Sequence, residues 1–315
     1  MKKPAVILLF MVITLWLSAQ QESQLNFYMF NKVAFNPAST GLDRAVGITG
    51  YGRNQWIGYK NEDGVAVNPK TYGLSFDMPV YKISSGAGLS FQYNKTGAES
   101  NTDVKLHYAY HLAINKKNIV SAGFSLDFLS KSIDYSKVEP AEEDPLLPGS
   151  KESGFMTDID LGVHYQAFQK FNLGISATNL LGSSAEIGAP EFTQVKHYYI
   201  YSSYDMEIAE NYGHDLTLTP GILMKATTGS VCIDLNAILS YDKLFWGGIL
   251  YRTSNAIGLM GGVNYQGIKA GISYDYTLSN DFAPGSRNSL ELFIRYTYDI
   301  YPPVVKRSGY NTRNM

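Results

Sequence analysis

Short segments that alternate apolar and polar residues recur from about Ala45 to Tyr298, and turn residues separate them. The clearest segment runs from Asp103 to Leu112, where the even positions are all apolar or aromatic and the odd positions are mostly charged or polar. Because successive side chains of a strand point to opposite faces, such a segment has one apolar face and one polar face. An apolar lipid-facing side and a polar lumen are typical of a transmembrane β-barrel.

The alternation predicts an all-β protein, a transmembrane antiparallel β-barrel of about 14 strands, with 12 or 16 strands as alternatives. The predicted strands are 45–53, 70–78, 86–94, 103–113, 118–132, 155–168, 171–180, 196–207, 215–225, 231–241, 244–252, 256–265, 268–277 and 288–298. Most have the length of about 9–11 residues that a tilted strand needs to cross a membrane. A soluble β-sandwich, the alternative fold, has strands of about five or six residues. Since proline lacks the ladder donor, we expect a bulge or local break at Pro220.

The connections between these strands differ in length according to their position. All the long ones follow odd-numbered strands, at about 54–69, 133–154 and 181–195, and those that follow even-numbered strands are short. Outer-membrane barrels have short periplasmic turns and longer outer loops. The order of long and short connections therefore predicts that both chain ends lie in the periplasm.

The two ends of the chain lie outside the alternating region. Lys2 and Lys3 precede an apolar run from Ala5 to Leu17, and Ala19 ends a small-residue cleavage site, as in a secretory signal peptide. An uncleaved anchor is the alternative. We predict a signal peptide over 1–19, a periplasmic segment over 20–43 at or in the barrel mouth, an outer-membrane barrel over 44–299 and a periplasmic tail over 300–315.

Composition agrees with a barrel and excludes some other classes. The chain has 24 Tyr, a residue that outer-membrane barrels use in their aromatic girdles. Its one cysteine, Cys232, cannot form an internal disulfide. The net charge of −2 does not favour nucleic acid as a partner.

Charged residues on the predicted lumen face do not form a recognisable catalytic set, so we expect no enzyme activity, no cofactor and no metal. His107 and His111 have the spacing of a helical metal motif, but on a strand they are about 13 Å apart. Asp158 and Asp160 share one face, and we interpret them as lumen residues balanced by a lysine or arginine across the barrel. The lumen set has mixed signs, which suits an interior cross-linked by ion pairs or filled by a plug: Lys105, His107, His111, Asp127, Asp158, Asp160, His164, Asp234, Asn236, Lys269, Asp275, Glu291 and Arg295.

The loop from Ser136 to Ser153 contains clustered carboxylates, at Glu139, Glu142, Glu143 and Asp144. Such a cluster is compatible with calcium binding. It lacks the spacing of an EF-hand, and a solvated acidic outer loop is the favoured interpretation.

The segment before the first strand is aromatic-rich and carries the most specific motifs. Gln24-Leu25-Asn26-Phe27-Tyr28-Met29-Phe30-Asn31, followed by Asn36-Pro37-Ala38 and Gly41, resembles the start of the PorP/SprF family of Bacteroidetes. Arg53-Asn54-Gln55-Trp56-Ile57-Gly58 resembles the arginine-glutamine-tryptophan segment of that family, and Pro69-Lys70-Thr71 and Ser75-Phe76-Asp77-Met78-Pro79 follow in the same order. Beyond about residue 180 only the general barrel alternation supports the resemblance.

The resemblance implies a non-enzymatic outer-membrane protein associated with type IX secretion and gliding motility. Its expected partners are outer-membrane lipids and lipopolysaccharide, and the secretion machinery or the C-terminal domain of a secreted cargo such as an adhesin. An outer-membrane porin or a channel for small hydrophobic substrates is the alternative function. The candidate interaction residues are Tyr28, Phe30, Asn31, Asn36, Pro37, Arg53, Gln55 and Trp56, and the alternative for each is a structural role, such as sealing the barrel.

Overall fold

Fourteen antiparallel strands close into a barrel in the computed structural model, which describes residues 24–60, 64, 66–137, 148–188, 191–211, 214–279 and 287–300. The strands are β1 (Ala45–Ile57), β2 (Lys70–Val80), β3 (Ser85–Thr96), β4 (Glu99–Ala113), β5 (Asn118–Asp134), β6 (Lys151–Ala167), β7 (Phe171–Thr178), β8 (Ser184–Glu186), β9 (Glu191–Thr193), β10 (His197–Tyr204), β11 (Met206–Asn211), β12 (His214–Ala226), β13 (Val231–Tyr241), β14 (Phe245–Arg252), β15 (Ala256–Tyr265), β16 (Ile268–Thr277) and β17 (Asn288–Asp299). β10 and β11 are two parts of one barrel strand, because both pair with β12. β8 and β9 pair only with each other.

The first and last strands pair with each other and close the barrel. β1 pairs with β17 from Ala45 opposite Asp299 to Asn54 opposite Leu290, and β10 pairs with both β7 and β12. The predicted fold class is therefore confirmed, and every predicted strand boundary lies within four residues of the observed one.

The two faces of the wall are those that the alternation predicts. On β17, the side chains of Leu292 and Ile294 are each 53% exposed on the outer face. Glu291, which lies between Leu290 and Leu292 in the sequence, is fully buried on the inner face. β4, β13 and β16 show the same division. The outer face is thus a belt of exposed apolar side chains around the barrel.

Pro220 lies in β12 without a bulge, opposite Ala237 of β13, so the expected break in its own strand is wrong. The irregularity is in the neighbouring strand, where β10 ends at Tyr204 and β11 begins at Met206. Since Pro220 has no N–H to donate, the ladder between these strands is interrupted here. Asp205 fills the gap: its backbone N–H donates to the carbonyl of Lys170 (2.9 Å), and its carboxylate accepts the hydroxyl of Thr219 (2.7 Å).

The two rims of the barrel differ, as the connection lengths predict. One rim carries the connections 58–69, 135–150 and 179–196, and we call it the long-loop rim. The opposite rim carries 81–84, 114–117, 168–170, 212–213, 242–244 and 266–267, and we call it the short-turn rim. The small β8–β9 hairpin belongs to the long-loop rim, where Ile187 is buried and its carbonyl accepts the hydroxyl of Tyr135 at 2.7 Å.

The N-terminal segment fills the barrel interior. Residues 26–42, which we call the plug, contain three short 3₁₀ helices, Tyr28–Phe30, Lys32–Ala34 and Pro37–Ser39. Asn26 contacts Asp275 and Glu291, close to the ends of β16 and β17 at the long-loop rim. Thr40 contacts His111, near the short-turn end of β4. The plug therefore crosses the lumen from its long-loop half to the short-turn rim, where β1 begins.

Several sequence predictions fall outside the described residues: the signal peptide over 1–19, the carboxylates Glu139, Glu142, Glu143 and Asp144, and the tail beyond 300. In the described part of the chain, no helix is long and apolar enough to cross a membrane.

Candidate functional site

The N-terminal end of the plug is held by a buried charge network in the long-loop half of the lumen. Glu291 accepts the backbone N–H groups of Asn26 (2.7 Å) and Phe27 (3.1 Å). The side-chain amide of Asn26 donates to Asp275 Oδ1 at 2.7 Å. Arg53 joins the two carboxylates, with Nη2 at 2.7 Å from Asp275 Oδ2 and Nη1 at 3.2 Å from Glu291 Oε2. Both carboxylates and the guanidinium are at least 97% buried, so charge-assisted bonds in a low dielectric fix the plug here.

A second buried pair adjoins this network. Arg252 donates to both carboxylate oxygens of Asp234, at 2.9 and 3.1 Å, and its Nη2 lies 3.3 Å from Asn26 Oδ1. Lys225 Nζ is 2.8 Å from Asp234 Oδ2. Asn26 thus joins two neighbouring ion networks, and its replacement by an apolar residue would leave Asp275 and Arg252 each short of one buried hydrogen bond.

An aromatic cluster lies below these networks. Phe27 contacts the edge of Trp246 with ring centroids 5.8 Å apart, and Phe293 at 5.3 Å. Phe30 contacts the same two rings, at 5.0 and 5.5 Å. The indole of Trp246 fits because Gly271 has no side chain: a Cβ there would lie 2.5 Å from the ring. Edge-to-face contacts of this kind add to the free energy gained from burying the rings.

The Asn36-Pro37-Ala38 motif packs on glycines of the wall. Asn36 caps the third 3₁₀ helix by accepting the backbone N–H of Ala38 (3.0 Å), and its amide donates to the carbonyl of Val163 (3.1 Å). At Gly123, a Cβ would lie 2.5 Å from the backbone of Pro37 and Ala38. The motif therefore determines a close approach between the plug and β5 that no larger wall residue allows.

Ser39, His164 and Asn172 form an arrangement that has the residue types of a nucleophile, a base and an orienting group. Ser39 Oγ lies 3.2 Å from His164 Nδ1, and Asn172 Oδ1 lies 3.2 Å from His164 Nε2. The hydroxyl of Tyr201 bonds to the same Nδ1. All of these side chains are buried between the plug and the wall, His164 completely, and their hydrogen bonds hold the plug against the wall.

The two aspartates singled out on β6 have separate partners. Asp160 pairs with Lys105 (3.0 Å), which also contacts Asp127 at 3.2 Å, so the balancing lysine lies nearby on β4 and not across the barrel. Asp158 accepts the backbone N–H groups of Leu181 (2.8 Å) and Ser183 (3.1 Å). It therefore fastens the connection 179–196 to the wall, a role that no motif around Asp158 indicates.

The two spaced histidines are lumen-wall residues, as interpreted from the strand rise. His107 lies between Ser90 (2.7 Å) and Ser125 (2.6 Å) on the neighbouring strands. His111 Nε2–H donates to the plug carbonyl of Thr40 at 2.9 Å, and its Nδ1 bonds to Ser121 at 2.7 Å. His111 is thus a further contact between the wall and the plug.

Six of the eight candidate interaction residues lie at the boundary between plug and wall. Tyr28, Asn31, Asn36, Pro37 and Arg53 are buried, and Phe30 is partly buried against the aromatic cluster. Asn236 of β13 bonds to the Tyr28 hydroxyl, and the hydroxyl of Ser75 donates to Asn31 Oδ1 at 3.1 Å. This geometry gives these side chains a plug-holding role, and their role in partner binding stays a prediction.

Gln55 and Trp56 lie apart from the other six, at the long-loop rim. The register between β1 and β17 shifts here, and Trp56 has φ of +51°. A bulge re-aims a side chain, and such a φ is rare for a bulky residue. As a result the indole N–H of Trp56 donates to Thr277 Oγ1 on the inner face (3.2 Å), above the Arg53 network. Gln55 is held through its backbone, which donates to the carbonyl of Pro69 at 2.9 Å.

Comparison with known sequences identifies the family. The profile described as "Type IX secretion system membrane protein PorP/SprF" matches residues 17–296. The chain belongs to the PorP/SprF family. A comparison with curated protein sequences finds no match. Membership of this secretion family and the barrel with its apolar belt make the chain an integral protein of the outer membrane.

Solved structures share the fold of this PorP/SprF protein at low identity. The CymD monoaromatic hydrocarbon channel is similar with a TM-score of 0.50 and 12% identity, over 86% of this chain and 93% of that one. The toluene transporter TbuX of Ralstonia pickettii has a TM-score of 0.49 and 13% identity, over 84% and 92% of the two chains. A FadL homologue of Pseudomonas aeruginosa has a TM-score of 0.46 and 11% identity, over 85% and 94%. At such identities the likeness concerns the fold alone.

Proposed function

We propose that this PorP/SprF protein is an accessory barrel of type IX secretion that supports the secretion or surface attachment of a cargo such as an adhesin. The family supports the secretion role, and the filled lumen supports an accessory rather than a conducting role. The plug is held by ion pairs at one end and packs on glycines at the other. With its lumen filled in this way, the barrel would interact with partners through its exposed surfaces. The exposed apolar belt would contact outer-membrane lipids, and lipopolysaccharide on its outer side.

The observation that carries this proposal is the depth of the plug contacts. They involve wall residues on both halves of the barrel, including Glu291 on β17, Trp246 on β14 and Val163 on β6. Cargo passing through the lumen would have to displace all of them. The exposed regions at the long-loop rim are therefore the proposed surfaces for a cargo C-terminal domain or for the secretion machinery, with the short-turn rim in the periplasm.

A deletion strain of a type IX-secreting host tests this function. The gene is deleted and then restored on a plasmid, and a reporter fused to a type IX C-terminal domain is followed in the medium and on the cell surface. We expect loss of secretion or of surface attachment in the deletion strain and its recovery on restoration. Unchanged secretion and attachment of every type IX cargo would contradict the proposal.

The channel alternative predicts a different result. If the protein were a porin or a channel for small hydrophobic substrates, the deletion strain would lose uptake of such solutes while type IX secretion continued. Reconstituted parent protein would also conduct ions in a planar bilayer without any partner. The plug opposes this alternative, since it fills the lumen that the solute would use.

A further inference from the structure

Two lysines in the lumen have no carboxylate partner in the part of the chain that the structure describes. Lys32 of the plug and Lys269 of β16 are both only partly exposed, and among the described residues neither ammonium lies within 4 Å of a carboxylate. Lys32 lies over the ring of Tyr201 at 5.8 Å, and Lys269 over the ring of Phe30 at 4.3 Å. An aromatic face stabilises a cation modestly and does not neutralise its charge.

These two differ from the other cations of the lumen. In the described part of the wall, the remaining inward-facing lysines and arginines all form ion pairs: Arg53, Lys105, Lys131, Lys225, Arg252 and Arg295. Burying a charge without a partner is costly. Since the six other cations are paired and these two lysines are not, we expect an anion from outside the chain to bind them.

The two lysines lie towards the opening of the barrel at the short-turn rim, which we call the short-turn mouth. Lys269 is the second residue of β16, next to the turn 266–267, and the charged groups around both lysines include Asp43, Asp205 and Arg295. Arg295 lies directly opposite Lys269 in the β16–β17 ladder and is itself paired with Asp77 (3.3 Å) and Asp43 (3.1 Å). Asp43, an exposed carboxylate at the mouth, is therefore already paired with Arg295.

The positive charge continues along the mouth. A cleft of about 260 Å³ opens between the end of the plug and the turns 114–117 and 168–170. It is lined by Leu42, Asp43, Arg44, Lys116, Lys117, Ile119, Gln166 and Gln169. Its one carboxylate is Asp43, which is bound to Arg295. Asp43 thus connects the cleft to Arg295, which lies opposite Lys269 in the β16–β17 ladder.

We propose that the short-turn mouth is a binding site for an acidic segment of a partner polypeptide, with Lys32 and Lys269 binding its leading carboxylate. The length of the positive surface favours a polypeptide over a small anion, since Lys116 and Lys117 follow β4, which is five strands away in the sheet from β16 and Lys269. Complementary charge of this kind selects the partner and speeds association. The partner's place in type IX secretion rests on the proposed function, but the binding itself does not.

Binding is measured with the purified full-length barrel in nanodiscs and a short fluorescein-labelled peptide of alternating glutamate and glycine, by fluorescence anisotropy at low ionic strength. A peptide with glutamine in place of glutamate is the reference. We expect the double variant Lys32→Gln/Lys269→Gln to weaken binding of the acidic peptide by about tenfold or more, since two charge-assisted contacts are lost. The variant Arg44→Gln/Lys116→Gln/Lys117→Gln should weaken it as well, and added salt should weaken binding to the parent.

The matched control is Lys82→Gln/Lys243→Gln, which removes the same charge from exposed positions at the same rim, outside the cleft. It should bind like the parent. The proposal is wrong if the parent does not distinguish the two peptides, or if the control loses as much affinity as the lumen variant. Competition by free glutamate as effective as by the peptide would reveal a small-anion site and overturn the polypeptide partner. Peptide binding that persists while the deletion strain secretes normally would separate this site from the proposed function.

Discussion

The carboxylate of Glu291 accepts the backbone N–H of Asn26 at 2.7 Å, although 265 positions separate the two residues along the chain. The bond joins the plug to the last strand of the barrel. It is made to a backbone group, so its strength does not depend on the side chain that the plug carries at this position. The carboxylate of Glu291 therefore fixes the backbone of the plug, and Arg53 fixes the carboxylate.

Replacing Glu291 with Gln should loosen the N-terminal end of the plug. One acceptor oxygen remains, but the negative charge between Arg53 and the two plug N–H groups is lost, which costs about 3 kcal/mol for a buried pair. We expect openings in planar-bilayer conductance that the parent does not show. Glu186→Gln, on the exposed β8–β9 hairpin, is the control and should remain closed. A closed Glu291→Gln barrel would mean that packing alone holds the plug.

A methyl group at Gly123 should force the plug and the wall apart. The Cβ would lie 2.5 Å from the backbone N of Ala38 and the carbonyl carbon of Pro37, neither of which can turn away. We expect Gly123→Ala to destabilise the folded barrel by about 1–3 kcal/mol, as overpacking does. The measurement is the temperature at which the compact band on a gel converts to the unfolded one. Gly50→Ala, whose Cβ would meet Ile294 at an ordinary 3.5 Å, should leave that temperature unchanged.

Asp158→Ala should release the connection 179–196 without opening the barrel. Leu181 and Ser183 lose the acceptor of their backbone N–H groups, at about 1–3 kcal/mol for each bond left unmade. We expect faster proteolysis near the β8–β9 hairpin and an unchanged unfolding temperature. Thr157→Ala is the control, because only the carbonyl of Thr157 contacts the connection, through Ser183. Equal cleavage in both variants would contradict the role of the carboxylate.

Phe30 and Trp56 allow a structural role to be separated from partner binding. Phe30→Ala removes a ring that contacts Trp246 and Phe293, and we expect it to destabilise the plugged barrel by about 3 kcal/mol. Trp56→Ala lies at the rim, and we expect it to impair cargo attachment at the surface while barrel assembly remains normal. Surface display of a cargo reporter and the gel assay of folding distinguish the two. Loss of assembly in Trp56→Ala would make that residue structural.

Much of the wall could be predicted from the sequence because the alternation of apolar and polar residues within each strand shows which side chains face outwards and which face the lumen. On β16, for example, Ile272 and Tyr274 alternate with Ser273 and Asp275, and this pattern alone determines the face of each side chain. The long and short connections similarly identified the two rims. These are local properties, and no knowledge of distant residues is needed to interpret them.

The plug contacts could not be predicted in the same way because they join residues far apart in sequence. Nothing in the local pattern around Asp275 or Glu291 distinguishes a carboxylate that holds the plug from one that faces water. The bonds from Asp158 to the connection 179–196 and the bulge that turns Trp56 inward likewise involve residues outside their own strands. Pro220 shows the same limit, since its missing N–H changes the adjacent strand and leaves its own continuous.

The position of Arg53 opposite Glu291 in the β1–β17 ladder has a consequence for assembly. β1 and β17 are the strands whose pairing completes the cylinder, and across this pairing Arg53 binds Glu291, the residue that accepts the backbone N–H of Asn26. If these strands paired with the N-terminal segment left outside, Asp275 and Glu291 would be enclosed with part of their hydrogen bonding unmet. Closing the cylinder and placing the N-terminal segment in its interior are therefore energetically coupled in this chain.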